Sequence, residues 1–343
     1  MTVAFVTHPD CLRHDTGFGH PERPARLRAL LEATDRADIP LLRVTAEPVS
    51  DEILYAVHAE EYVASVRALA AAGGGRLDPD TVVSAASYDA ARAAAGAASD
   101  AVARVFGHDV PAAFAAVRPP GHHALRSHGM GFCLFNNVAC AAVAARLRHG
   151  AERILILDWD LHHGNGTQDI FYRDGSVLFV SVHQEHWYPG TGSWDEVGSG
   201  AGEGFTVNIP LPAGTGDEGY RRVFEEVIVP LGRAFRSDLM LVSAGYDAHA
   251  GDPLGGMLVS TAGFGTLTRL AREAAGGSTR MVAVLEGGYQ LSHLSDSVLA
   301  TLSVLGGGAG PTGLPQGPEE VGHRAIADRI RQVRGVVRNY WNI

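Results

Sequence analysis

Ile154-Leu155-Ile156-Leu157-Asp158-Trp159-Asp160-Leu161-His162-His163-Gly164-Asn165-Gly166-Thr167 sets four apolar residues directly against a burst of acids and imidazoles. A short apolar run bounded by polar residues suits a strand buried on both faces of a parallel sheet, and such sheets carry their ligands at the strands' carboxyl ends. Along extended backbone, residues i, i+2 and i+4 project from one face, so Asp158, Asp160 and His162 converge on one small volume. Converging negative charge wants a cation.

The same design recurs along the chain. Ala112 to Val117 runs into Arg118-Pro119-Pro120-Gly121-His122-His123, and Val177 to Val182 into His183. Leu239 to Val242 runs into Ser243-Ala244-Gly245-Tyr246-Asp247, and Met281 to Leu285 into Glu286-Gly287-Gly288-Tyr289. Helix-periodic stretches near 136–149, 217–235, 260–275 and 289–304 separate most of these runs, which is the βαβ rhythm of a helix-flanked parallel sheet. The fold class is therefore α/β, with its chemistry on one rim. No composition break divides the units, so residues 1–343 are expected to form a single domain.

Earlier in the chain, Val3 to Val6 reads as a strand, and His20-Pro21-Glu22-Arg23-Pro24 leads into a helix to about Leu31. Residues 51–71 read as two short helices broken near Ala59, and Gly73-Gly74-Gly75 followed by Leu77-Asp78-Pro79-Asp80 as a loop. Alanine-rich 87–106 is a packing helix by propensity. Glycine-rich 305–318 reads as a loop before a last helix at about 319–338.

With 343 residues, 46% of them hydrophobic, the chain can bury a sizeable core. Its formal charge of −10, from 28 Lys plus Arg against 38 Asp plus Glu, argues against a sequence-independent nucleic-acid binder, which needs a basic face. Cys11, Cys133 and Cys140 show no metal-ligand spacing and cannot all pair, which suits a reducing compartment. The N-terminus lacks the cationic start and apolar stretch of a signal peptide, and no uncharged apolar run reaches the ~18 residues of a membrane span. The expectation is a cytoplasmic protein with no direct nucleic-acid or membrane partner, its oligomeric state open.

Asp160 and His162 supply two ligands from one strand end, and Asp247 a third from another. Three protein ligands leave a position for water or substrate, the arrangement of a catalytic divalent metal; zinc comes first, and the donors also suit iron. Adjacent His122 and His123 on a turn cannot both be core packing. One ring, held by a buried carboxylate such as Asp158, can stay charged, while the other, held by a neutral partner such as Asn165, can stay a base near neutral pH. A base beside a metal-bound water is the machinery of hydrolysis. Tyr289, after two glycines that let the backbone come close, would offer a phenol to a developing oxyanion.

With these motifs in view, the chain resembles a zinc-dependent histone deacetylase of the class II type, in the family shared with acetylpolyamine amidohydrolases and within the arginase–deacetylase superfamily. The likeness runs from His20-Pro21-Glu22-Arg23-Pro24 through Arg118 to Ala124, Gly131-Phe132-Cys133-Leu134-Phe135-Asn136-Asn137 and the 154–167 stretch. It continues through Tyr188-Pro189-Gly190-Thr191-Gly192, Ala244 to Asp247 and Gly251-Asp252-Pro253-Leu254-Gly255-Gly256 to Leu285-Glu286-Gly287-Gly288-Tyr289. The resemblance implies a three-layer α/β/α sandwich with a mostly parallel sheet. It implies one catalytic zinc per subunit on Asp160, His162 and Asp247, with His122 and His123 as paired acid and base, Asp158 and Asn165 as their partners, and Tyr289 polarising the scissile carbonyl. Phe132 and Tyr188 would wall a narrow channel for an acylated lysine or small acylated amine, with Gly131, Leu254, Asp80 and Arg23 also on the substrate side. A structural potassium would be held by Asp158, the backbone around Asp160 and His162, and Ser181.

The departures are informative. Asn165 stands where many class I members carry Asp, Tyr188 where Phe is usual, and Leu254 where polyamine-deacetylating relatives of the eukaryotic type carry a Glu gatekeeper. An arginase-type ureohydrolase would need a second metal, hence Asp two residues after His162 and another two after Asp247; those places hold Gly164 and His249. A non-catalytic acyl-lysine binding module would be expected to have lost Tyr289 or a metal ligand, and neither is lost. The reading is a zinc-dependent amidohydrolase acting on acyl-lysine or a related acylated amine, with an acetylpolyamine amidohydrolase as the alternative.

Overall fold

The computed structural model describes residues 1–276, 280–310 and 322–343. In chain order the strands are β1 (Val3–Thr7), β2 (Leu41–Thr45), β3 (Gly74–Arg76), β4 (Val82–Ser84), β5 (Ala112–Ala115), β6 (Ile154–Asp158), β7 (Val177–Gln184), β8 (Thr206–Leu211), β9 (Leu239–Ala244) and β10 (Met281–Leu285). Eight of them form one sheet, in the order β2-β1-β5-β10-β9-β6-β7-β8, and every neighbouring pair in it is parallel. Helices surround this sheet, as the α/β reading expects. Each residue of β5, β6, β7, β9 and β10 is buried, which is why these strands open on continuous apolar runs rather than alternating, with polar residues only toward their carboxyl ends.

Strand order decides where the chemistry falls. The five polar motifs follow β5, β10, β9, β6 and β7, which are consecutive neighbours in the sheet, so their carboxyl ends share one rim. Across β6, Asp158 lies in register with Ser181 on one side and Ser243 on the other. The 87–106 helix forms as Ser87–Phe106; its buried alanines let it pack closely against β1, β5 and the helix Asn137–His149, and Gly96 lets the backbone at Glu47 to Val49 come close. That second helix starts where the Asn136 side chain accepts a bond from Ala139 N and ends at left-handed Gly150.

Several expectations need correction. The loop expected at 73–80 is framed by an antiparallel ribbon, β3 against β4, which turns through Leu77 N donating to Thr81 O. Two edge strands, β2 and β8, do not stand out in the sequence. Strand β2 is half exposed, and β8 contains Pro210, a residue that argues against a strand and is tolerated because β8 is an edge. The first helix runs Pro24–Arg36, past Leu31. The 217–235 helix is three segments, with a π turn at Phe224–Ile228 just before Pro230, whose missing N–H cannot continue the ladder. The last helix is His323–Val337; of the loop expected at 305–318, residues 311–318 lie outside the described residues.

Candidate active site

Asp160 and His162 follow β6, and Asp247 follows the adjacent β9. Their ligand atoms lie within 4.8 Å of one another, and all three side chains are buried. His162 Nδ1 is 3.1 Å from Asp160 Oδ1 and 3.2 Å from Asp247 Oδ2. Backbone amides aim the carboxylates: Gly287 N donates to Asp160 Oδ2, His162 N to Asp160 Oδ1 and Leu161 N to Asp247 Oδ1, over 2.8, 2.9 and 2.9 Å. A Cβ on Gly287 would lie 2.1 Å from Asp247 Oδ2, so only glycine lets β10 approach this closely. Asp247 Oδ2 is buried with no hydrogen-bond partner. An orphaned carboxylate oxygen beside an imidazole and a second carboxylate is the donor set of a divalent metal centre, and these residues fit zinc.

The rings of the two histidines after β5 lie 4.0 Å apart between centroids, tilted by 42°, but face unlike partners. His122 Nδ1 donates to Asp158 Oδ2 over 3.0 Å, whereas His123 Nδ1 donates to Asn165 Oδ1 over 2.7 Å. Burial disfavours charge on both. At His122 the Asp160 and Asp158 carboxylates outweigh burial and hold the ring well above its ordinary range. At His123 burial is joined by repulsion from His122 and His162, which pushes the ring well below it. The result is one proton-holding imidazole beside one free base. Burial drives Asp158 up to about 6, against the pull of His122.

Tyr289 is nearly buried, and burial, with the charge of Asp247, keeps its phenol protonated. Its position is fixed from three sides. Asp252 Oδ2 accepts from Tyr289 N over 2.6 Å, the Arg26 guanidinium lies 4.8 Å over its ring, and Phe132 meets the ring edge-on at 5.9 Å. Arg26 is buried and also donates to Gly288 O and Glu286 O, both over 2.6 Å, while sharing Glu22 with Arg118. Tyr188 faces His123 and His162 edge-on at 5.2 and 6.0 Å. Between these walls Gly131 has φ +55°, and a Cβ there would fall 2.4 Å from His123 Cδ2 and 3.0 Å from the Tyr188 ring.

Residues 20–305 match the family model described as the histone deacetylase domain. The chain belongs to the histone deacetylase family. It is 43% identical over 293 residues to histone deacetylase 15 of Arabidopsis thaliana, a match covering 83% of this chain and 52% of that protein. It is 44% identical to a probable deacetylase of Archaeoglobus fulgidus, over 85% of this chain and 82% of the relative, and 41% identical to a histone deacetylase-like amidohydrolase of Pseudomonas aeruginosa, over 84% and 77%. The chain thus spans about half of the plant relative and about four fifths of the other two. Among solved structures, the crystal structure of the HDA15 HD domain superposes with a TM-score of 0.91 at 38% identity, covering 99% of this chain and 97% of that one. The expected fold and hydrolase class stand with the family.

Of the residues expected to act in such a deacetylase, His122, His123, Asp158, Asn165, Asp160, His162, Asp247 and Tyr289 come together as described, with Phe132, Gly131 and Tyr188 beside them. Asp80 joins this side indirectly: its carbonyl meets His20 Nε2 at 3.1 Å, and its neighbour Thr81 accepts from Phe132 N. Leu254 is half-buried, and its carbonyl accepts from Trp187 Nε1, beside Tyr188. Ser181 is buried, with Oγ 2.9 Å from His183 Nδ1. Arg23 is exposed at a helix start; the arginine that reaches Tyr289 is Arg26, one helical turn on. Arg26, Asp252 and Glu286 escape the sequence reading, although each lies within or beside a quoted motif. Glu286 Oε2 accepts from Gly121 N and His122 N over 2.6 and 3.1 Å and so fixes the turn that carries the paired histidines.

Proposed function

We propose that this chain is a zinc-dependent deacylase that hydrolyses the amide of an acylated lysine or a related acylated amine. The observation that carries the reading is the inequality of His122 and His123 beside the Asp160, His162 and Asp247 cluster. Zinc held by those three residues would polarise the amide carbonyl and acidify water. His123, with Nδ1 committed to Asn165, presents Nε2 as the general base that takes the proton from attacking water. His122, kept charged by Asp158, gives a proton to the departing amine. The neutral Tyr289 phenol donates to the carbonyl oxygen as negative charge grows on it. Phe132 and Tyr188 shield an alkyl chain from water on either side.

Three further readings accompany this one. The in-register, buried pair Asp158 and Ser181 supports a structural potassium at the strand ends. One eight-stranded sheet with one continuous core supports a single domain. Cys11, Cys133 and Cys140, all free and buried, support a reducing, cytoplasmic setting, and no helix among the described residues is long and apolar enough to cross a membrane. The test of function is turnover on a panel of acyl-lysine peptides, acetylpolyamines and other acyl amines. Zinc-dependent release of acid from one class is expected; saturable binding of all of them without turnover would replace the enzyme by a binding module.

A further inference from the structure

Beside the histidine pair lies a second convergence of donor atoms. His122, Cys133 and Glu286, all buried, each offer one ligand atom within 4.8 Å of the others. Glu286 uses only one of its oxygens. Oε2 accepts from two backbone amides, while Oε1 is buried with no hydrogen-bond partner. Leaving a carboxylate oxygen dry and unpaired is costly, and a proton or a cation relieves it. Cys133 Sγ donates its proton to Gly131 O over 3.3 Å, a bond that a metal-bound thiolate gives up. With Nδ1 of His122 engaged by Asp158, Nε2 is its ligand atom.

Imidazole, thiolate and carboxylate form a softer donor set than the carboxylate-rich cluster of Asp160, His162 and Asp247, which contains no sulfur. We propose that His122, Cys133 and Glu286 form a second metal site that takes a thiophilic divalent cation, zinc in excess or cadmium, in addition to the ion at the first cluster. Coordination displaces the thiol proton of Cys133 and the proton on His122 Nε2 into solvent. Two charges enter and two protons leave, so the charge buried here does not change. His122 Nε2 lies 3.8 Å from Asp160 Oδ1, so the two sites abut. Occupation removes His122 from proton transfer, and excess metal therefore inhibits.

The test is a titration of the zinc-loaded protein with cadmium, read by thiolate-to-cadmium charge-transfer absorption and by bound metal per chain. Cadmium that merely replaces zinc at the first cluster gives no thiolate band. The expected result is a second equivalent that brings up the band, both lost in Cys133→Ala with the first equivalent kept. Glu286→Gln removes a charged ligand and should weaken the second equivalent by more than the roughly ten- to hundredfold seen when only a ligand's supporting partner is lost. If Cys133→Ala does not fold, the Cys11→Ala, Cys140→Ala protein, with Cys133 as its one thiol, must keep the band. A wild type with no band at cadmium saturation, or a band that survives in Cys133→Ala or disappears when Cys11 and Cys140 are replaced, overturns the proposal.

Discussion

His123 Nδ1 donates to Asn165 Oδ1 over 2.7 Å, and the acceptor carries no charge. The amide nitrogen of Asn165 points the other way, 3.4 Å from Met130 Sδ, which agrees with this orientation. A neutral partner orients the ring without raising its proton affinity. Asn165→Asp keeps the acceptor and adds a charge, so the proton affinity of His123 should rise by about one unit or more. Because the base works only when unprotonated, the acid limb of kcat/KM against pH should move to higher pH. A limb that does not move would show that His123 is not the titrating base.

Tyr289 is held by Asp252, Arg26 and Phe132 through its backbone and ring, and none of these contacts uses the hydroxyl. Tyr289→Phe should therefore leave thermal stability and zinc content near wild type. It deletes a donor aimed at charge that appears only in the transition state, so kcat should fall by about two to three orders of magnitude, with little change in KM. Full turnover in the Phe variant would remove Tyr289 from the reaction.

Asp247 brings to the cluster the one carboxylate oxygen with no partner of its own. In Asp247→Ala the remaining pair, Asp160 and His162, does not complete a site, and bound zinc and activity should disappear together. The alanine relieves repulsion from Asp160 but strips the buried Leu161 N of its acceptor, so the metal-free variant should stay folded and melt somewhat below metal-free wild type. Metal analysis and calorimetry on both apo proteins decide the matter; zinc bound stoichiometrically to the variant would place the ligand set elsewhere.

What was legible in the sequence was whatever is local. Ile154 to Leu157 announces a doubly buried strand because helices cover both faces, and the alternation of two within Asp158, Asp160 and His162 survives into the fold. Pro210 hid β8, because whether a proline can sit in a strand depends on which strand lies beyond it, and that is a property of the sheet. Arg26 read as an ordinary helix residue. Glu22, four residues back, supplies a charge partner, but the burial of Arg26 becomes tolerable only when the carbonyls of Glu286 and Gly288 and the Tyr289 ring arrive from a segment some 260 residues away. Glu286 is the same case, since its partners sit on a neighbouring strand's turn.

Acid stability provides the last prediction. His58 Nδ1 donates to Leu125 O over 2.9 Å, while Nε2 accepts from Asn136 N over 2.9 Å, so the ring is a fixed neutral tautomer between two segments that frame the site. Protonating Nε2 would set one N–H against another. Burial pushes His58 down to about 4, and His14 likewise to about 4, from 6.5. Both rings bind protons more weakly folded than unfolded, so their contribution is fully present above pH 6.5 and is lost as pH falls from there to about 4. At 1.4 kcal/mol per unit that is on the order of 3 kcal/mol each. Glu22 acts in a lower window: burial alone would raise it, but Arg118 and Arg26 depress it to about 2, so its contribution fades only below 4.5. Urea unfolding at pH 7, 5.5 and 4.5 should show stability already falling between the first two. His58→Gln can donate to Leu125 O and accept from Asn136 N without titrating, so it should flatten that part of the curve. A variant whose stability falls as steeply as wild type would show that His58 is not a buried neutral ring.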